Sequence, residues 1–159
     1  MERATTDRKE VLDEIRSAIE AEPDPTRAME AAVGLLKSRM PDYTWVGIYL
    51  CHSNELVLGP FVGKPSPHTR IPLGRGICGA AATAKETIIV DDVNDDPRYL
   101  ACSVDTRSEI VVPILSGRGQ NDVLGEIDVD SDRRAAFGQD DKEMLEAIAA
   151  LLAPRLSRA

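Results

Sequence analysis

From Gly125 to Ser131 the chain reads Gly-Glu-Ile-Asp-Val-Asp-Ser, with an acid at every second position and Ile127 and Val129 between them. A period of two is that of a β-strand. It sets Glu126, Asp128 and Asp130 on one face and hands the other to a core. Such a segment reads poorly as a helix, whose apolar positions recur every three or four residues. Two meanings of the acidic face remain open. One is an outer face bathed in water, the usual reading of this alternation. The other is a pocket wall that binds a cationic group. Glu109 sharpens the question, because it opens the apolar run Ile110–Leu115, where a buried charge needs a partner. Glu109–Leu115 and Val123–Val129 read as adjacent strands around a Ser116–Asp122 turn.

The rest of the chain surrounds this pair. Val11, Leu12, Ile15, Ala18 and Ile19 give residues 7–21 helical spacing. Asp24-Pro25 signals a second helix start, with Asp as N-cap and Pro at the first position. Met29, Ala32, Val33 and Leu36 stripe that helix to Arg39. From Tyr43 the period becomes two. Trp45, Gly47 and Tyr49 point one way, and Val46, Ile48 and Leu50 the other. Ser53-Asn54 reads as a turn, Glu55–Val62 as the hairpin partner, and Thr69–Leu73 and Thr87–Val90 as short strands. Cys78–Lys85 is Ala-rich and reads as a short helix after a Gly-rich turn. Gln139–Leu156 closes the chain as an amphipathic helix. The order predicts an α+β fold, a mostly antiparallel sheet whose N- and C-terminal helices pack on one face and leave the other for a pocket.

Bulk properties narrow the function. A chain of 159 residues suits one domain, 1–159, with residues 1–22 as an N-terminal helix. A formal net charge of −8 disfavours nucleic acid and anionic membranes as partners. No apolar run is long enough to span a bilayer, and the N-terminus lacks an apolar signal core, which points to the cytoplasm. Three cysteines and two histidines, with no CxxC half-site, argue against a disulfide framework and a structural zinc site. Asp128-x-Asp130-x-Asp132 opens like a calcium loop, but Arg133 and Gln139 stand where that loop needs Gly and Glu.

The thiols carry the remaining chemistry. Gly74-x-Gly76-x-x-Gly79 matches a dinucleotide fingerprint by letters, yet no βαβ unit surrounds it. A tight turn setting Cys78 at a helix N-terminus is the better reading. There the dipole and free N–H groups favour a thiolate. A small apolar residue packed under the turn explains Cys78 equally well. Cys102 falls between polar stretches, where it reads either as an incidental loop cysteine or as a partly exposed thiol that Arg98 and Arg107 bias toward thiolate. Cys51 and His52 are strand neighbours facing opposite ways, so Cys51 reads as structural. Trp45 and Tyr49 share a face, as core or as the wall of a pocket for an organic cation or thioether.

The strings Trp45-Val-Gly-Ile-Tyr49-Leu, Leu58-Gly-Pro-Phe61, Arg70-Ile-Pro, Gly74-x-Gly-Ile-Cys78-Gly, Ala101-Cys102, Ser108-Glu109-Ile-Val-Val-Pro113 and Asp128-Val-Asp130-Ser131 together resemble GAF domains of the free methionine-(R)-sulfoxide reductase type. The resemblance implies a GAF fold with an antiparallel sheet of about six strands, and commonly a homodimer, in which the N-terminal helix could take part. It implies reduction of free L-methionine (R)-S-oxide, with Cys102 in the active site and Cys78 as its redox partner. Trp45, Tyr49, Glu109, Asp128 and Asp130 would line the substrate pocket. Thioredoxin would restore the thiols, and no cofactor or metal is implied. One departure stands out: residues 63–70 contain no cysteine, where many family members carry one. A Cys78–Cys102 route or direct reduction of the sulfenic acid by thioredoxin could replace it. The alternatives to an enzyme are a non-catalytic small-molecule sensor module and a thiol redox switch.

Overall fold

The computed structural model describes residues 7–99, 105–117 and 122–156. Helix α1 (Arg8–Ala21) starts where the Asp7 carboxylate accepts from the Lys9 and Glu10 N–H groups. Helix α2 (Pro25–Arg39) starts as the Asp-Pro signal predicts, with Asp24 accepting from the Arg27 N–H. Strands β1 (Trp45–His52) and β2 (Glu55–Val62) follow. They turn through Ser53 and Asn54, both at positive φ, the geometry that matches the twist of a tight hairpin. Next come β3 (Arg70–Pro72), α3 (Gly76–Ala84), β4 (Ile88–Val90) and a 3₁₀ turn at Val93–Asp95. Strands β5 (Ser108–Leu115) and β6 (Val123–Ser131) and helix α4 (Gln139–Leu156) complete the chain.

The strands form one antiparallel sheet in the order β3-β2-β1-β6-β5-β4. The expected α+β architecture is therefore the observed one. The short strands are each trimmed, to Arg70–Pro72 and Ile88–Val90. By contrast β6 runs two residues beyond the Val129 expected, because Asp130 and Ser131 still have ladder partners on β5.

Two cores lie on opposite sheet faces. On one, Val46 and Ile48 of β1, Ile110, Val112 and Ile114 of β5, and Ile127 and Val129 of β6 meet the apolar stripes of α1, α2 and α4. Here α2 packs over β1 and β2, α4 over β5 and β6, and α1 rests on the two helices. Arg155 ties α4 to the end of α1, donating to the carbonyls of Ile19 and Glu22. Cations favour such helix C-termini. Buried Asp141 accepts from the Tyr43 hydroxyl at 2.6 Å, the Arg8 Nε at 3.1 Å and the Gly138 N–H at 2.9 Å, so its carboxylate is satisfied.

The second core is smaller. It joins Trp45, Tyr49, Leu56, Ile71 and Val111 to Ile77, Cys78, Ala81 and Ala82 of α3. This is the face that carries the acids of β6. Among the described residues, no helix is long and apolar enough to cross a membrane.

Candidate active site

Sheet register brings the site together. Asp130 on β6 pairs with Trp45 on β1 and Glu109 on β5. One row along, Asp128 pairs with Gly47 and Val111, and a further row on, Glu126 pairs with Tyr49 and Pro113. Directly paired residues share a face, so all four acids look the same way. They do not face water. Glu126 is 0% exposed, Asp128 2%, Asp130 4% and Glu109 5%. The outer-face reading of the alternation is thereby overturned: helix α3 lies over this side of the sheet and makes it an inner wall.

Glycines allow α3 to sit so close. Gly74 and Gly76 both have positive φ, 85° and 70°, a conformation that side chains disfavour. A Cβ on Gly79 would lie 2.9 Å from the Gly74 nitrogen. The Gly-x-Gly-x-x-Gly string thus packs a helix against its own entry turn. With an antiparallel sheet around it, it is no dinucleotide loop. The turn delivers Cys78, buried, to the first turn of α3 and over the acids.

Aromatic groups close one side. The Trp45 indole donates to the Lys64 carbonyl at 2.9 Å, and the Tyr49 hydroxyl to the His68 carbonyl at 2.8 Å. Both bonds fasten β1 to the 63–68 loop. Trp45 stacks on Phe61, ring centroids 5.8 Å apart, and lies 6.5 Å from Tyr49. Its ring passes over Gly47, where a Cβ would come within 2.3 Å of it.

Two cavities border the acids. The smaller, about 20 Å³, is lined by Tyr49, His68, Ile71, Gly76, Ile77, Cys78, Glu109 and Asp128. The larger, about 240 Å³, includes Trp45, Lys64, Ser66, Thr106 and Asp130. It lies below the roughly 300–1,000 Å³ of drug-sized pockets and suits a small metabolite.

The electrostatics follow from burial. Desolvation pushes the Glu126 carboxyl well above the ordinary range, and the charge of Asp128 adds to it. Asp130 is raised well above its usual value by burial first and by Asp128 second. Asp128 is raised by burial and held back by hydrogen bonds with Glu109 and the Cys78 thiol. Glu109 bonds to both aspartates. A bond between two carboxyls requires one of them to carry a proton, so the cluster stores at least one. Among the described residues, both Glu126 oxygens, Asp128 Oδ1 and Asp130 Oδ1 are buried without a hydrogen-bond partner. The Cys78 thiol lies near enough to Glu126 to favour its charged form slightly, but it satisfies neither oxygen.

Cys78 corrects one expectation. Helix-terminal placement favours a thiolate, yet desolvation, then the charges of Asp128, Glu126, Glu109 and Asp130, push this thiol well above its usual range. At neutral pH it is therefore a protonated thiol. Cys51, half-buried, continues the face of Trp45 and Tyr49 and packs against the same cluster. Cys102 lies outside the described residues. Trp45, Tyr49, Cys78, Glu109, Asp128 and Asp130 therefore converge. Glu126, which the alternation sets beside Asp128 and Asp130 and the resemblance leaves out, lies buried on the same face.

A curled antiparallel sheet with terminal helices on one face and a pocket on the other defines a GAF domain, and the GAF-domain family model matches residues 24–156. The chain belongs to that family. It is 46% identical over 119 residues to the free methionine-R-sulfoxide reductase of Saccharomyces cerevisiae, covering 73% of this chain and 64% of the yeast protein. It is 37% identical to the Escherichia coli protein of the same name, over 74% of this chain and 69% of that one. The crystal structure of the Neisseria meningitidis free methionine-R-sulfoxide reductase in complex with its substrate superposes with a TM-score of 0.89 at 37% identity, covering 99% and 95% of the two chains. Within the GAF domains, the chain is a member of the free methionine-R-sulfoxide reductase family.

Proposed function

We propose that this chain reduces the R epimer of free methionine sulfoxide to methionine. The observation that carries the reading is the row of buried carboxyls, with oxygens unpartnered among the described residues, set beneath Cys78 and walled by Trp45 and Tyr49. Ionised members of the row bind the substrate ammonium, and the aromatic wall takes the methyl-sulfur end. Free amino acid is selected over a residue in a protein because the ammonium supplies the missing charge.

A protonated member of Glu109, Asp128 and Asp130 donates to the sulfoxide oxygen and makes the sulfur electrophilic. The Cys102 sulfur attacks it. The oxygen passes to cysteine as a sulfenic acid, methionine leaves carrying two more electrons, and the thiol proton refills the carboxyl. Cys78 then attacks the sulfenic sulfur. An S–S bond forms, the S–O bond breaks, and hydroxide leaves as water with the Cys78 proton. Cys78 needs a local base for this, and the carboxylates beneath it supply one. Thioredoxin exchanges the disulfide back to thiols, in the cytoplasm, with the protein working as a homodimer.

The test follows NADPH consumption with thioredoxin, thioredoxin reductase and each epimer. Turnover confined to the R epimer and lost in Cys102→Ser supports the reading. Absence of turnover by a folded, reduced protein overturns it.

A further inference from the structure

We propose that the reduced, substrate-free site is also a binding site for a thiophilic divalent cation of the Zn²⁺ class, held by the Cys78 thiolate and the carboxylates of Glu109 and Asp128. Three observations converge on it. The ligand atoms of Cys78, Glu109 and Asp128 all lie within 4.8 Å of one another, and all three side chains are buried. Zinc bonds sulfur at about 2.3 Å and carboxylate oxygen at about 2.0–2.2 Å. Side-chain rotation is enough to draw atoms so placed onto one ion. The same three residues border the cavity of about 20 Å³. That is close to what a single water requires on this scale. A bare cation fits it as it stands, whereas methionine sulfoxide does not. Finally, among the described residues Asp128 Oδ1 is buried without a partner. One of the three cavity-lining ligands thus carries a spare buried acceptor.

The donor set selects the ion. A thiolate is a poor ligand for Mg²⁺ or Ca²⁺, which take oxygen, and carboxylates are poor ligands for Cu⁺, which takes sulfur. Zinc accepts both, and a cavity water can hold its fourth position. Sequence spacing could not reveal this set, because its members come from α3, β5 and β6. The cation and the substrate ammonium would compete for the same carboxylates. Oxidation of Cys78 would release the metal, since the thiolate is then lost.

The test needs no turnover and stands apart from the reductase reading. The full chain, reduced and stripped with a chelator, is titrated with Zn²⁺ against a chromophoric chelator. A parallel titration with Cd²⁺ follows the thiolate-to-cadmium ultraviolet band. We expect one ion per chain, with proton release as the thiol ionises. The band should vanish in Cys78→Ser and persist in a Cys51→Ser/Cys102→Ser variant. Asp128→Asn should weaken Zn²⁺ by about tenfold or more; Glu109→Gln replaces it if circular dichroism shows Asp128→Asn unfolded. No uptake in competition with the chelator, or a band that survives in Cys78→Ser, overturns the proposal.

Discussion

Glu126 is the position where a substitution should make the protein more stable. Its carboxyl is 0% exposed, and among the described residues neither oxygen has a hydrogen-bond partner. A buried polar group left unsatisfied costs about 1–3 kcal/mol, and more when charged. Glu126→Met keeps the length of the side chain and removes both oxygens. The expected gain at pH 8 is about 1–3 kcal/mol, or roughly 2–12 °C in Tm for a domain of this size. The gain should depend on pH. Folding raises the Glu126 carboxyl well above its usual 4.5, so between that value and the raised one the folded chain holds a proton that the unfolded chain releases. Stability from this group is complete below the ordinary carboxylate range and is lost as pH rises through the raised value, at up to about 1.4 kcal/mol per pH unit. Glu126→Met should therefore gain less at pH 5 than at pH 8. Urea denaturation followed by far-ultraviolet circular dichroism at the two pH values measures this. A variant less stable than wild type at both, or a gain independent of pH, would refute the claim that the carboxyl is buried and uncompensated.

Two further perturbations probe the frame around the site. Gly47→Ala puts a methyl within 2.3 Å of the Trp45 ring. Displacing that wall should cost about 1–3 kcal/mol and raise KM for the sulfoxide more than it lowers kcat, as steady-state kinetics will read. Asp141→Ala orphans the Tyr43 hydroxyl and the Gly138 N–H, at about 1–3 kcal/mol for each group left buried. It should lower the urea midpoint while leaving epimer preference unchanged, because this network lies on the opposite face from the acids.

Most elements were readable from the sequence because each follows a local rule. Asp24-Pro25 started a helix, Ser53-Asn54 made a turn, and alternation through Trp45–Leu50 and Glu126–Val129 put the right residues on one face. Alternation cannot say what lies over that face. Whether Glu126, Asp128 and Asp130 meet water or a wall depends on α3, whose placement rests on Gly79 packing against the Gly74 backbone and on the positive φ of Gly74 and Gly76. The reversal at Cys78 has the same origin. Its helix-terminal position was visible in the sequence, but the carboxyls beneath it come from strands whose pairing only the fold sets. Glu126 shares the parity of Asp128 and Asp130, and nothing local distinguishes a buried acid from a solvated one at any of the three.

The middle of the sheet joins β1, near the start of the chain, to β6, near its end. Every row of the site spans that seam. Contacts so distant in sequence form slowly, since a long loop must close before they repay it. On the ribosome, Trp45 and Tyr49 emerge long before Asp128 and Asp130. The pocket is thus among the last parts of the molecule to exist, and until then β1 carries an open edge that invites mispairing.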